Sequence, residues 1–228
     1  MERIETTILR NLIFDEEYSR KVIPFIEPEY FENKTEKIIF EEVTQFIVKY
    51  DANGSRKWTN QIGSARADYG SGITTDTKGN VYLLGQSNGS IGTDINFGSG
   101  GFIVVKYDNT GTLQWINQYG TKFQDIGKAI TIDANDNVYV TGETSGGLDG
   151  NTSAGDNDLF VVKYNSSGVK QWTKQLGTSS SDYGYGITSD SSGNLYVTGR
   201  TNGGLDGNTS AGDSDIFVVK YNSDGVKQ

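Results

Sequence analysis

Two stretches of the chain carry oxygen-bearing side chains at a spacing that could hold a hard cation. The segment GGLDGNTSAGDND presents Asp149, Asn151, Asp156 and Asp158, and a near-copy presents Asp206, Asn208, Asp213 and Asp215. Closely spaced Asp and Asn oxygens on a glycine-rich loop are what Ca²⁺ requires. The pattern is not the twelve-residue loop of helix-loop-helix calcium sites, which closes on a glutamate. The competing reading is structural: the same side chains bond to loop backbone groups as Asx-turns. That reading is the stronger one, because the corresponding loop one copy earlier, GTDINFGSGG at 92–101, keeps only Asp94, at the place of Asn151. Calcium is the one cofactor the sequence leaves open.

Tyr69, Tyr183 and Tyr185 offer a second chemistry, since tyrosines among polar loop residues suit the faces of sugars. Packing of these rings between structural units is the preferred alternative. Catalysis has little to work with. The absence of His and Cys excludes His-based triads, thiol nucleophiles and His/Cys zinc sites. Paired-carboxylate glycoside hydrolysis survives on composition alone, with 29 Asp and Glu, yet no pair stands out from the background. The expectation is a protein that is not an enzyme. A formal net charge of −9 argues against nucleic-acid partners. No apolar run approaches the roughly 18 residues of a membrane-spanning helix, and the acidic first residues do not read as a secretory signal.

What positions these side chains is a repeat. The Lys-Tyr pair of VVKY ends at Tyr50, Tyr107, Tyr164 and Tyr221, always 57 residues apart, and the 3 tryptophans keep the same period at Trp58, Trp115 and Trp172. Each period reads as four short antiparallel strands. Taken from Asp158, these are 160–164 (FVVKY), 170–176 (KQWTKQL), 185–189 (YGITS) and 194–198 (NLYVT). Gly168 and Gly193 end the turns between them, where positive φ is needed. In this reading the aspartate loops lie between blades, and the three tyrosines lie on the loop joining the second and third strands. The fold class expected is mainly β: three consecutive four-stranded propeller-type blades in an incomplete ring, preceded by a short α-helical segment.

The pattern VVKY-N/D-x-x-G-x-x-x-W-x-x-Q-x-G, followed by GIT-x-D-x-x-G-N-x-Y-V-T-G-x-T, resembles the SBBP β-propeller repeats of large bacterial surface and secreted proteins. The resemblance spans about residues 46–228. It implies a seven-bladed scaffold or adhesion module without catalytic residues, at the cell surface or outside the cell, with protein or carbohydrate ligands. Three periods and a fragment do not close a ring, so the open blade ends are expected to self-associate. The stop at Gln228, just before the next tryptophan is due, reads as a fragment of a longer product.

Residues 1–48 differ in kind. No glycine occurs before residue 51, and both prolines, Pro24 and Pro28, fall there. Ile8 and Leu12 share one face of a first short helix over 5–12, and Asp15, Glu16 and Glu17 open a second. Helical spacing of Ile39, Val43, Phe46 or Ile47 and Tyr50 predicts a third running through Tyr50. The run LIFDEEYSRKVIPFI with EYF resembles the N-terminus of tailed-phage replicative DNA helicases, a helical collar that contacts helicase or primase. No G-x-x-x-x-G-K-[ST] follows, so the motor is missing. The two families meet inside FIVKYD at 46–51, which looks like the joint of a chimera. That stretch cannot be helix tail and blade strand at once. The leading functional expectation is a non-catalytic propeller scaffold or binding module; the alternative is a phage replication accessory segment.

Overall fold

The computed structural model describes residues 47–50, 53–91 and 100–228, with 47–50 as backbone only. The described chain is built from thirteen strands and two single 3-10 turns, Leu148–Gly150 and Leu205–Gly207. The helical readings of residues 1–46 and the candidate Asp94 lie outside the described residues. Ile47–Tyr50 does not continue a helix. It is strand β1, paired antiparallel with β2 (Arg56–Asn60). The β-branched, lysine-tyrosine pattern of the repeat prevails over helical spacing there, because a strand partner follows within a few residues. This hairpin belongs to a compact unit of its own, Met1–Ile62.

The second unit, Gly63–Gln228, contains three antiparallel sheets. Blade 1 is β3 (Asp68–Thr75), β4 (Val81–Ser87), β5 (Gly101–Tyr107) and β6 (Leu113–Tyr119). Blade 2 is β7 (Asp125–Ile132), β8 (Val138–Thr144), β9 (Asp158–Tyr164) and β10 (Lys170–Leu176). Blade 3 has β11 (Asp182–Ser189), β12 (Leu195–Thr201) and β13 (Asp215–Tyr221). Gly168 and Gly193 take the expected left-handed turns, at φ 81 and 78.

The strands expected from sequence are present, but the blade is cut at a different point. FVVKY is the third strand of its sheet, and the tryptophan strand is the fourth. The 145–157 and 202–214 segments therefore connect hydrogen-bonded neighbours within blades 2 and 3, not one blade to the next. Periodicity alone is blind to phase: a four-strand cycle has the same pattern wherever it is cut. The first strand of each blade carries a β-bulge at Gly70/Gly72, Gly127/Ala129 and Gly184/Gly186, which increases local twist.

The core sits between sheets. One cluster joins Tyr82, Leu84, Phe102 and Val104 of blade 1 to Val138, Val140, Phe160 and Val162 of blade 2. Phe102 and Phe160 stack there at 5.0 Å, inclined by 16°. The second joins Tyr139, Leu159 and Val161 of blade 2 to Leu195, Val197, Phe217 and Val219 of blade 3. Strand alternation places Leu195 and Val197 on the face toward blade 2, while Thr198 is exposed.

Candidate functional site

The aspartate loops close on themselves. Asp149 and Asp206 sit in the left-handed region, at φ 56 and 57, where Asp is among the few side chains tolerated. The Asp149 carboxylate accepts from Lys170 Nζ at 2.6 Å, and Asp206 accepts from Lys227. Burial would raise the Asp149 pKa, but hydrogen bonds from Lys170 and neighbouring hydroxyls together with the Lys170 charge bring it below the ordinary value. Asn151 donates its side-chain amide to Leu148 O at 2.7 Å, and Asn208 does the same to Leu205 O at 2.9 Å.

Asp158 is fully buried, and its Oδ2 accepts from Ala154 N at 2.8 Å and Gln175 Nε2 at 2.7 Å. Asp215 accepts from Ala211 N and Ser210 Oγ, each at 2.9 Å. Asp156 and Asp213 are exposed. The residues named as cation ligands thus point to different ends of each loop. Among the described residues no three acidic side chains converge as a metal site. Asn151, Asn208, Asp158 and Asp215 bond loop backbone, and Asp149 and Asp206 pair with lysines.

A glutamine that the repeat pattern contains, and to which sequence reasoning gave no role, locks the 145–157 loop. Gln175 on β10 accepts from Leu148 N at 2.9 Å and donates to Gly146 O at 2.9 Å as well as to Asp158. Gln118 on β6 does the same in blade 1, accepting from Ile91 N at 3.0 Å and donating to Gly89 O at 2.6 Å. Its signal was the fixed Trp-x-x-Gln spacing. A carboxamide both donates and accepts, so one side chain satisfies an amide and a carbonyl that a loop would otherwise leave unpaired.

The opposite end of each blade is also built from polar side chains. Asp133 Oδ1 accepts the amides of Asn135 and Asn137, while Oδ2 accepts the Asn137 side chain and the Tyr139 hydroxyl, the latter at 2.8 Å. Asp76 with Tyr82 and Asp190 with Tyr196 repeat the arrangement. Burial pushes the Tyr139 hydroxyl above its ordinary pKa, helped by Asp133. Between blades, Lys106 Nζ and Trp115 Nε1 both donate to Ser166 O, at 3.1 and 3.2 Å, and Lys163 and Trp172 repeat this on Ser223 O.

Tyr69 lies on β3, and Tyr183 and Tyr185 lie on β11, so none is on a loop. Tyr69 and Tyr185 are about half exposed, at 50% and 48%, which departs from packing between blades. The bulge at Gly184/Gly186 turns Tyr185 outward, and its ring stacks on Tyr183 at 5.9 Å. The Arg200 guanidinium covers Tyr183 at 4.7 Å.

A family model for SBBP, described as a beta-propeller repeat, matches residues 57–93, 114–149 and 171–206. The chain is 25% identical to an uncharacterized WD repeat-containing protein of Acanthamoeba polyphaga mimivirus, over 91% of this chain and 19% of that protein. It is 29% identical to Regulatory protein FlaEY of Caulobacter vibrioides, over 68% of this chain and 18% of that protein. The chain thus spans about a fifth of the length of these curated relatives. Among solved structures, a protein of unknown function from Bacteroides caccae aligns at a TM-score of 0.32 and 10% identity, covering 81% of this chain and 76% of that one. Sheets of antiparallel strands recurring on one 57-residue period, matched three times by that repeat model, make this chain a β-propeller repeat protein.

Proposed function

We propose that the chain is a non-catalytic propeller scaffold and binding module of the kind found in bacterial surface and secreted proteins. One observation carries this reading: the polar groups that recur in every period are spent on holding the blades. Gln118 and Gln175 lock loops, Asp76, Asp133 and Asp190 tie turns, and Lys106 and Lys163 bridge blades. Solvent-facing positions differ between periods, as in the stacked Tyr183 and Tyr185, whose counterparts in blade 2 are Ile126 and Lys128. A repeat that preserves its joints and varies its surface suits recognition. Turnover on polysaccharide and peptide panels tests it, alongside retention of purified glycans and proteins on immobilised chain. Specific retention without turnover is expected. Turnover abolished by a single Asp substitution would overturn the reading.

A further inference from the structure

The first strand of each blade carries one extra residue at its bulge: Ser71 on β3, Lys128 on β7 and Tyr185 on β11. Accessibility comes with the position. Lys128 has a blade on either side and still keeps 34% of its side chain exposed. The chemistry gathers where blade 3 meets blade 2. Gly184 lies so close to β8 that an added Cβ would stand 2.3 Å from Thr141 Oγ1 and 3.2 Å from Gly142 O. Thr141 and Gly142 are also the residues that Ala129 and Gly127 pair with, on either side of the Lys128 bulge. The bulges of β7 and β11 therefore abut one short stretch of β8, and Glu143 is the next residue along it.

Glu143 is 9% exposed, and among the described residues its Oε2 has no hydrogen-bond partner. Its Oε1 lies 3.7 Å from Lys128 Nζ, an ion pair too long to be a hydrogen bond. A buried acceptor without a donor is unfavourable, and a ligand hydroxyl would relieve it. Tyr185 supplies a half-exposed ring at the same junction, held within 12° of parallel to Tyr183, which the Arg200 guanidinium covers. Blade 1 has neither group: Gln86 stands at the place of Glu143, and Ser71 at the place of Tyr185.

We propose that Glu143, Lys128 and Tyr185 bind a neutral hexose unit of a glycan at the junction of blades 2 and 3. One sugar hydroxyl donates to Glu143 Oε2, and the oxygen of a neighbouring hydroxyl accepts from Lys128 Nζ. The apolar C–H face of the ring rests on Tyr185. Tyr183 and Arg200 are positioning residues that hold the Tyr185 ring. Glu143 and Lys128 cancel in charge, Arg200 is engaged on Tyr183, and a chain of net charge −9 repels polyanions. An uncharged sugar is therefore favoured over a uronic acid. This deepens the binding-module reading and rests on it.

The test is isothermal titration calorimetry of the full chain with maltohexaose, cellohexaose, laminarihexaose, mannohexaose and hexagalacturonic acid. Saturable binding of a neutral hexasaccharide is expected, and none of the acidic one. Glu143→Gln and Tyr185→Ser should each weaken that binding at least about tenfold. Both substitutions introduce what blade 1 already carries at the same position, Gln86 and Ser71, so the melting temperature should stay close to that of the parent chain. No saturation with any neutral sugar up to millimolar concentration would overturn the proposal. So would binding that survives both substitutions, or a preference for hexagalacturonic acid. If the immobilised chain retains a protein but none of these sugars, the binding-module reading stands and this site falls; if it retains nothing, both fall.

Discussion

Leu159 and Ile216 occupy the same position of the 57-residue repeat, yet Leu159 is fully buried and Ile216 is 87% exposed. The difference is the neighbour. Leu159 faces blade 3, within the cluster that includes Leu195 and Val197, while among the described residues no blade covers Ile216. Val161 and Val218 repeat the contrast, at 0% and 69%. Leu159→Ala is expected to cost about 2–5 kcal/mol, and Ile216→Ala to stay within about 0.5 kcal/mol. Urea denaturation of the two variants reads the difference directly.

The Asp133–Tyr139 pair makes the turns sensitive to acid. Burial alone would raise the Asp133 pKa, but bonds from Asn137, Tyr139 and Asn135 outweigh it and leave the group below its ordinary value; Asp76 behaves alike. A folded pKa below the unfolded one, about 3.9, means stability present above that value and lost as pH falls through the folded pKa. Asp125 and Glu143 run the other way, because burial raises them, so their contribution is full at low pH and is lost as pH rises through their folded pKa values. Asp133→Ala leaves the Tyr139 hydroxyl and two amides without their acceptor, at a cost of about 3 kcal/mol near neutral pH. Asp133→Asn should flatten the acid limb of a plot of stability against pH.

Gly142 faces the bulge of the strand beside it. A Cβ there would lie 1.9 Å from Ile126 O, a backbone atom that cannot turn aside. Gly142→Ala should destabilise by more than about 3 kcal/mol. At Gly150, with φ 79 and nothing within 4 Å of an added Cβ, alanine meets only backbone strain of about 1–2 kcal/mol. Thermal melts of the two variants should separate clearly.

Gln175→Leu removes the lock on the 145–157 loop and strands the Leu148 amide in a partly buried setting. The expected loss is about 1–3 kcal/mol. Hydrogen exchange should quicken at Leu148 while the amides of β8 and β9 remain protected relative to it, since the sheet itself is untouched.

Asp149 is engaged by Lys170, so chelators should leave the melting temperature unchanged. Asp149→Ala should cost about 0.2–1 kcal/mol with or without calcium, as a partly exposed ion pair does. A calcium-dependent rise in melting temperature that this substitution removes would support the cation reading instead.

Strand identity, turn glycines and the repeat were legible in the chain because each is local. Alternation marks Leu195 and Val197 as a buried face, and the positive φ of Gly168 follows from the turn it closes. The period of 57 residues, with four strands and their turns read in each copy, pointed to the propeller class. Three things were settled only by tertiary structure. The phase of the blade depends on which strand pairs with which, and a cyclic pattern does not mark its own starting strand. The fate of the aspartates depends on Lys170, Gln175 and the loop backbone, which meet Asp149 and Asp158 only when β10 returns beside them. Burial of a repeat position depends on whether another blade faces it, so identical patterns at Leu159 and Ile216 end in opposite environments. Propensity and spacing act along the chain; pairing and packing act across it, and the candidate site belongs to the second.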